Sequence, residues 1–149
     1  MNNQLINLDH CSITVRNLEE SVKFYEKYLG LKKIGNFELT INAEGDLNNV
    51  RLKIAFMKAG DGNFELIEYI DKDLSLKQGE MFPWHIGAQH IAFQIDKVEE
   101  FYHKYENEIH FISSPIHSIA KDLDVTWTYF KDPNGALIEI SEDHLKKIQ

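Results

Sequence analysis

The sequence predicts an α+β protein built from two tandem modules, each running strand, helix, strand, strand, strand. Three observations favour this fold class. Two segments alternate apolar and polar residues around a histidine, a helical pattern follows each of them, and each half closes on a strand that carries a glutamate. Self-similarity over half a chain indicates a duplicated unit. We therefore expect two pseudo-symmetric modules that form one domain over residues 1–149.

The first module is expected over about residues 5–70. Its first strand, 7–15, places His10 on a polar face and sends the apolar residues to the other face. A helix then begins after Asn17, which resembles an N-cap in a capping box, and ends at Gly30, a typical C′ residue. Three further strands follow, at about 31–43, 50–58 and 64–69.

A linker over about residues 71–86 separates this module from the second, expected at about 87–142. The second module begins with a strand at 88–95 that carries His90, and Asp96 is the expected N-cap of its helix. The remaining segments are predicted as a short strand at 109–113, a loop at 114–121, strands at 123–131 and 136–141, and a short terminal helix in the tail at 143–149.

Composition limits the function classes. The 149 residues are 43% hydrophobic and 27% charged, which is typical of a globular protein. A formal charge of −8 with only two arginines disfavours nucleic acid, and no apolar run is long enough to span a membrane. The single cysteine, Cys11, and the absence of a signal-peptide pattern favour the cytoplasm. We therefore expect a small-molecule substrate as the partner.

Four residues at equivalent positions of the two halves carry the chemistry. His10 and His90 lie on the first strands, while Glu65 and Glu139 lie on the closing strands. Imidazole and carboxylate are ligands for a divalent first-row metal such as Zn²⁺, Ni²⁺, Co²⁺, Mn²⁺ or Fe²⁺. Because side chains alternate along a strand, Glu68 points away from the face of Glu65, and only Glu65 matches Glu139 in the repeat. These four residues are therefore the predicted metal ligands.

Four motifs occur in order along the chain. They are His10 in Leu-Asp-His-Cys-Ser-Ile-Thr-Val, the helix from Asn17 to Leu29-Gly30-Leu31, His90 in Gln-His-Ile-Ala-Phe, and Lys131-Asp132-Pro133-Asn134-Gly135 leading to Ile138-Glu139-Ile140. Together they resemble the vicinal oxygen chelate superfamily, which includes glyoxalase I, methylmalonyl-CoA epimerase, bleomycin resistance proteins and extradiol dioxygenases. The resemblance implies paired βαβββ modules whose sheets curl round a central metal cleft.

The resemblance also implies an activity. We expect a metal-dependent lyase or isomerase of glyoxalase type that moves a proton next to a carbonyl, through an enediolate, on a substrate with vicinal oxygens. By position, Glu139 matches the catalytic base and Glu65 is its symmetric counterpart. Relatives pair their modules within or between chains, and we favour a homodimer. The alternatives are a methylmalonyl-CoA-type epimerase, an iron-dependent extradiol dioxygenase, and a non-catalytic drug-binding resistance protein.

Further residues are candidates for the substrate cleft. Thr14 stands where small bacterial glyoxalase I enzymes carry an arginine for the glutathione carboxylate. Arg51, beside Lys53, is the candidate for a CoA phosphate, although a solvated strand face explains it equally well. Trp127 and Tyr129 are aromatic candidates, as is Trp84, with packing as the simpler explanation. The histidines without a repeat partner are interpreted as surface residues: His85, His103, His110, His117 and His144.

Overall fold

The structure is a computed structural model that describes residues 9–42, 48–72, 86 and 89–145. The chain divides into two compact units, Met1–Lys77 and Gln78–Gln149. Each unit holds one sheet and one helix, which confirms the predicted α+β class with a repeated βαβββ module. Most of the predicted linker, including Trp84, and the start of the first strand lie outside the described residues. The union of both units in one domain stays a prediction.

Unit one contains one helix and a four-stranded sheet. Its elements are β1 (Cys11–Thr14), α1 (Leu18–Leu29), β2 (Lys32–Ile41), β3 (Val50–Ala59) and β4 (Gly62–Tyr69). The sheet order is β1-β4-β3-β2. β1 runs parallel to β4, and the other two pairs are antiparallel. The first and last strands of the module are therefore neighbours, which brings the segment before β1 next to β4.

Helix α1 covers one face of this sheet. The Asn17 side chain accepts a hydrogen bond from the Glu20 amide at 3.1 Å, and Gly30 adopts the left-handed conformation at φ 64°. Both predicted caps are confirmed, and glycine suits the second because a side chain is strained there. The fully buried Tyr25 packs edge-on against Phe64 of β4, with ring centroids 4.9 Å apart. This contact fixes the helix to the sheet.

Unit two repeats the plan with an interrupted edge strand. Its elements are β5 (Ile91–Gln94), α2 (Val98–Tyr105), β6 (His110–Phe111), β7 (Ile116–Ala120), β8 (Leu123–Lys131) and β9 (Leu137–Asp143). The order is β5-β9-β8-β6, with β7 also pairing with β8, so β6 and β7 together take the place that β2 has in unit one. Phe101 of α2 stacks on the buried Phe130 of β8 at 6.3 Å.

Three predictions for unit two are wrong. The predicted loop at 114–121 contains strand β7, which is held by its antiparallel ladder with β8 rather than by an apolar pattern of its own. The N-cap of α2 is Lys97, not Asp96, and its side chain makes no capping hydrogen bond. The tail does not begin a helix at 143, because β9 continues through Asp143; residues 146–149 lie outside the described part.

The repeat extends to how each helix begins. Glu68 of β4 accepts a hydrogen bond from the Leu18 amide at 2.8 Å, and Glu142 of β9 accepts one from the Val98 amide at 3.0 Å. A carboxylate at a helix N-terminus satisfies a free amide and favours the helix dipole. Each closing strand therefore anchors its own helix. Within the residues described, neither helix has the length and apolar character that crossing a membrane requires.

Candidate metal centre

In unit one, a histidine and a buried glutamate face each other. His10 directly precedes β1, and Glu65 lies in β4, whose parallel register with β1 pairs Ser12 with Glu65. Side-chain alternation places His10 on the same face of the sheet as Ser12. The His10 Nε2 and Glu65 Oε2 atoms are 3.4 Å apart. The structure therefore brings together the two residues that the sequence predicts as this module's ligands.

In unit two, the equivalent pair has the same geometry. His90 directly precedes β5, Ala92 pairs with Glu139, and the His90 Nε2 and Glu139 Oε2 atoms are 3.2 Å apart. Tyr129 of β8 lies opposite Glu139 in the antiparallel register, and its ring is 5.3 Å from the His90 imidazole. Strand pairing alone therefore creates a cluster of histidine, glutamate and tyrosine on one face of the sheet.

The surroundings of Tyr129 favour its protonated form, which is a hydrogen-bond donor. Burial raises the pKa of its phenol above the usual value, and the charge of Glu139 and a hydrogen bond to that carboxylate raise it further. A phenol with a raised pKa keeps its proton at neutral pH. Tyr129 therefore holds the Glu139 carboxylate by donation without carrying a negative charge itself.

Asp9, which the sequence did not single out, contacts the His10 imidazole. Its Oδ2 accepts a hydrogen bond from His10 Nδ1 at 2.6 Å, and this bond is the main reason that the pKa of His10 is raised, with the charge of Glu65 adding to it and burial opposing it. In the neutral imidazole, a proton held on Nδ1 by Asp9 leaves the Nε2 lone pair on the side of Glu65. Carboxylates commonly orient metal-binding histidines in this way. The sequence signal for Asp9 was an acidic residue directly before a predicted histidine ligand. In unit two, Gln89 occupies the equivalent position before His90.

Two choices that rest on strand alternation agree with the geometry. Glu68 lies on the helix side of the sheet, where it accepts the Leu18 amide hydrogen bond, and is not beside His10. Cys11 pairs with Phe64, also on the helix side, and is a half-buried free thiol. Glu65 is therefore the carboxylate that faces the histidine in unit one.

The aromatic cleft candidates of unit two lie close to its pair. Trp127 shares a face with Tyr129, and their ring centroids are 5.3 Å apart. The indole Nε1 donates to Ser118 Oγ at 3.0 Å, which fixes the orientation of the ring. These two rings form an apolar wall beside Glu139.

The candidates of unit one differ from each other. Thr14 is exposed and shares by alternation the face of His10. Arg51 is not brought to this face, because Phe56 is the β3 residue opposite Glu65 and Arg51 alternates to the other side. Its guanidinium forms a fork on Asp71, with Nη2 2.8 Å from Oδ1 and Nε 3.1 Å from Oδ2. The Asp71 carboxylate already neutralises the Arg51 guanidinium, which would otherwise be the cation that binds a phosphate.

The donor atoms fit a divalent ion. Two ligands bound at about 2.0–2.2 Å and at roughly right angles lie about 3 Å from each other. The separations of 3.4 Å and 3.2 Å are close to that value and exceed the roughly 2.9–3.0 Å that is usual for an N–H···O hydrogen bond. Each unit thus offers one imidazole and one carboxylate to a metal. Their joint binding of one ion stays a prediction.

A second group of ligand-type side chains lies elsewhere in unit two. One ligand atom from each of His117, Asp124 and His144 lies within 4.8 Å of the others. Both histidines are predicted as surface residues, because they have no counterpart in the repeat. Their grouping depends on strand β7, which the sequence did not predict.

Comparison with known proteins identifies the family. Residues 7–140 match the model of the Glyoxalase/Bleomycin resistance protein/Dioxygenase superfamily. The chain therefore belongs to this superfamily, as its motifs indicated. A comparison with curated protein sequences found no significant match.

Several solved structures share the fold. A glyoxalase family protein from Bacillus cereus is 18% identical with a TM-score of 0.81, over 95% of this chain and 96% of that chain. The trypanothione-dependent glyoxalase I of Leishmania major is 19% identical with a TM-score of 0.63, over 93% and 87%. The fosfomycin resistance protein FosX of Listeria monocytogenes is 18% identical with a TM-score of 0.64, over 95% and 97%. At these identities, the similarity establishes the common fold.

Proposed function

We propose that this chain is a metal-dependent lyase or isomerase of glyoxalase type, which moves a proton next to a carbonyl on a small substrate with vicinal oxygens. One observation carries the proposal. The same histidine and glutamate pair occurs in both units, with separations of 3.4 Å and 3.2 Å between the facing atoms. The recurrence gives each module one imidazole and one carboxylate at the same strand positions, and these are the donor types of a divalent transition-metal site.

His10, Glu65, His90 and Glu139 would hold one divalent ion, of the zinc, nickel, cobalt, manganese or iron group. When bound, such an ion acts as a Lewis acid that stabilises negative charge on a substrate oxygen. Asp9 contributes by keeping the His10 Nε2 lone pair free, through its 2.6 Å contact with Nδ1. The solved structures that share the fold of this chain include a glyoxalase I, which supports this class of site.

Glu139 is the proposed catalytic base. Its side chain is 18% exposed, against 10% for Glu65, so substrate reaches it more easily. Its oxygens accept the proton from the carbon next to the carbonyl, while the neutral Tyr129 holds the carboxylate in place. Glu65, more deeply buried, is suited to remain a ligand.

The competing functions differ in what they require of the chain. A CoA substrate needs cations for its phosphates, and the candidate Arg51 is engaged by Asp71. A ring-cleaving dioxygenase normally uses two histidines and one carboxylate, so the second glutamate disfavours it. A drug-binding protein needs no metal ligands, and both pairs here are intact. Homodimer assembly and a cytoplasmic location also belong to the proposal, on the grounds given by the sequence.

The proposal is tested by a substrate screen on purified protein, stripped of metal and reloaded with each of the five ions. Hemithioacetals, methylmalonyl-CoA and catechols are offered in parallel, with the metal-free protein and the His10→Ala variant as controls. We expect turnover of a hemithioacetal-type substrate that needs metal and is lost in the variant. Ring cleavage with iron alone, or tight binding of a compound without metal or turnover, would replace the proposal by one of its competitors.

A further inference from the structure

Three ligand-type side chains converge at one end of the unit-two sheet. His117 lies on β7, Asp124 on β8, and His144 directly follows β9. The His117 Nε2 and Asp124 Oδ1 atoms are 2.7 Å apart, and the two imidazole rings have centroids 5.2 Å apart. Potential ligand atoms of all three residues lie within 4.8 Å of each other. This spacing is small enough for one ion to bind all three after minor side-chain rotation.

The backbone holds these residues in place. His117 pairs with Thr126 in the antiparallel ladder of β7 and β8. The His144 amide donates to the Asp124 carbonyl at 2.9 Å, which continues the pairing of β9 with β8. The His144 Nε2 atom is also 2.8 Å from Thr126 Oγ1. Three neighbouring strands thus preorganise the cluster, in the way that a metal site on rigid elements requires.

The cluster lies on the opposite face of the sheet from the candidate metal centre. Glu139 pairs with Tyr129, whereas Glu142 pairs with Thr126, and side chains alternate along both strands. Asp124 and Thr126 therefore point to the side that α2 covers, away from Tyr129 and Glu139. An ion bound at the cluster would be separate from the one in the proposed active site.

Glu142 links the cluster to the helix. Its Oε1 is 3.6 Å from His144 Nδ1, while its Oε2 accepts the Val98 amide hydrogen bond at 3.0 Å. A carboxylate beside the second ring nitrogen of a ligating histidine helps to orient the ring. The Nε2 atom of His144 lies 2.8 Å from Thr126 Oγ1, so an ion bound there would replace this contact.

The fold does not require this set of residues. Glu68 and Glu142 are equivalent helix anchors, so the matching strand positions in unit one can be read from the register. In unit one, Glu38 occupies the position equivalent to His117, Arg51 the position equivalent to Asp124, and Ile70 the position equivalent to His144. The Ile70 amide donates to the Arg51 carbonyl at 2.9 Å, as the His144 amide does to Asp124. The same backbone thus carries a fork of Arg51 with Asp71 in one unit and three metal-type ligands in the other.

We propose that His117, Asp124 and His144 form a second metal site, which binds a divalent transition-metal ion of the zinc type. Two imidazoles and one carboxylate are a typical donor set for such ions and leave a coordination position for water. The side chains are 50%, 33% and 32% exposed for His117, Asp124 and His144, so the ion enters from solvent without opening the core. Glu142 acts as the positioning residue for His144.

Zinc binding to the full chain tests this site. In a His10→Ala/His90→Ala background, which removes the other proposed site, calorimetry with Zn²⁺ should still find one ion per chain. Adding His117→Ala removes a direct ligand and should lower the zinc affinity strongly. The expected fall is larger than the roughly 10–100-fold that results when a residue that only orients a ligand is removed. The matched control is His103→Ala, an exposed histidine of α2 that lies 3.7 Å from Glu106 and should change nothing. Zinc binding that is unaffected by His117→Ala, or absent from the folded background chain, would overturn the site.

A measurement on the unmutated chain avoids any doubt about folding. During a Zn²⁺ titration followed by NMR, the imidazole signals of His117 and His144 should shift together, and those of His103 should not. Unchanged His117 and His144 signals would contradict the proposal even if zinc binds at His10 and His90. Failure of the proposed active site would instead leave the His117 and His144 shifts intact, so the two proposals fail separately.

Discussion

At the scale of single residues, the proposed mechanism gives different roles to two glutamates in equivalent places. Glu139 is more exposed than Glu65 and is held by Tyr129, whose pKa is raised mainly by burial. A carboxylate on a cation is a poor base, because the cation lowers its proton affinity. We propose Glu139 as the base because substrate can displace the more accessible member of the pair more easily.

Glu139→Gln tests this assignment. Glutamine keeps an oxygen donor and the shape of the side chain but cannot accept the proton, so turnover should fall by about 10²–10⁴-fold. Metal should be partly retained, measured on the same preparation by elemental analysis. The symmetric variant Glu65→Gln is the control and should lose less turnover. Near-normal activity of Glu139→Gln with metal bound would make Glu65 the better candidate.

Asp9→Ala tests the positioning of His10. Without the 2.6 Å contact at Nδ1, the neutral imidazole should return towards its ordinary tautomer, with the proton on Nε2. We expect metal affinity to fall by about 10–100-fold, as for other outer-shell partners. Nitrogen NMR of the metal-free protein should show the proton on His10 Nδ1 in the natural chain and its loss in the variant. An unchanged tautomer would show that Asp9 only contributes surface charge.

Residue patterns identify the candidate ligands of the proposed active site and miss those of the second proposed site for a definite reason. The repeat identifies His10, Glu65, His90 and Glu139, because each occupies the same strand position in its half. His117 and His144 are missed because a repeat cannot reveal residues that only one module carries. Their proximity depends on the pairing of β7 with β8, a contact between segments that have no shared pattern.

At the scale of elements, the sequence predicts strands and helices where side chains set the pattern. Helix α1 and strand β8 are found with nearly their observed bounds, because alternation or helical spacing marks them. Strand β7 follows Pro115 and has no clear alternation, so its ladder with β8 decides its structure. The N-cap of α2 was misplaced because Glu142, distant in sequence, satisfies the Val98 amide.

The two helix anchors lead to a comparative prediction. In α1, both Asn17 and Glu68 accept amide hydrogen bonds, whereas the N-cap Lys97 of α2 offers no side-chain acceptor to its helix. Loss of a cap costs about 0.5–2 kcal/mol. Glu142→Ala should therefore lower the free energy of unfolding by an amount in the upper part of this range, and Glu68→Ala by one in the lower part.

Urea unfolding and amide hydrogen exchange measure the difference. Exchange at Val98 should accelerate in Glu142→Ala more than exchange at Leu18 does in Glu68→Ala. Glu106→Ala, near the exposed end of α2, serves as a control with little effect. Equal losses for the two anchors would show that Asn17 adds nothing to the start of α1.

At the scale of the whole molecule, the proposed metal centre depends on the duplication of the module. Each module supplies one imidazole and one carboxylate from its first and last strands, which are neighbours in its sheet. Two ligands bind a divalent ion weakly, whereas four leave room for substrate oxygens in an octahedral sphere. The central claim is that the pairs of both modules hold one common ion.

The metal content of histidine variants tests this claim most directly. The measurement uses a His117→Ala/His144→Ala chain, so that the second proposed site does not contribute, and compares it with the same chain carrying His10→Ala or His90→Ala in addition. We predict one ion per chain before, and much less bound metal at the same free metal concentration after either single change, because the remaining three ligands must hold the ion with an extra water. Two ions per chain at the start, or a full ion retained in either variant, would show that the two pairs act independently and would contradict the account.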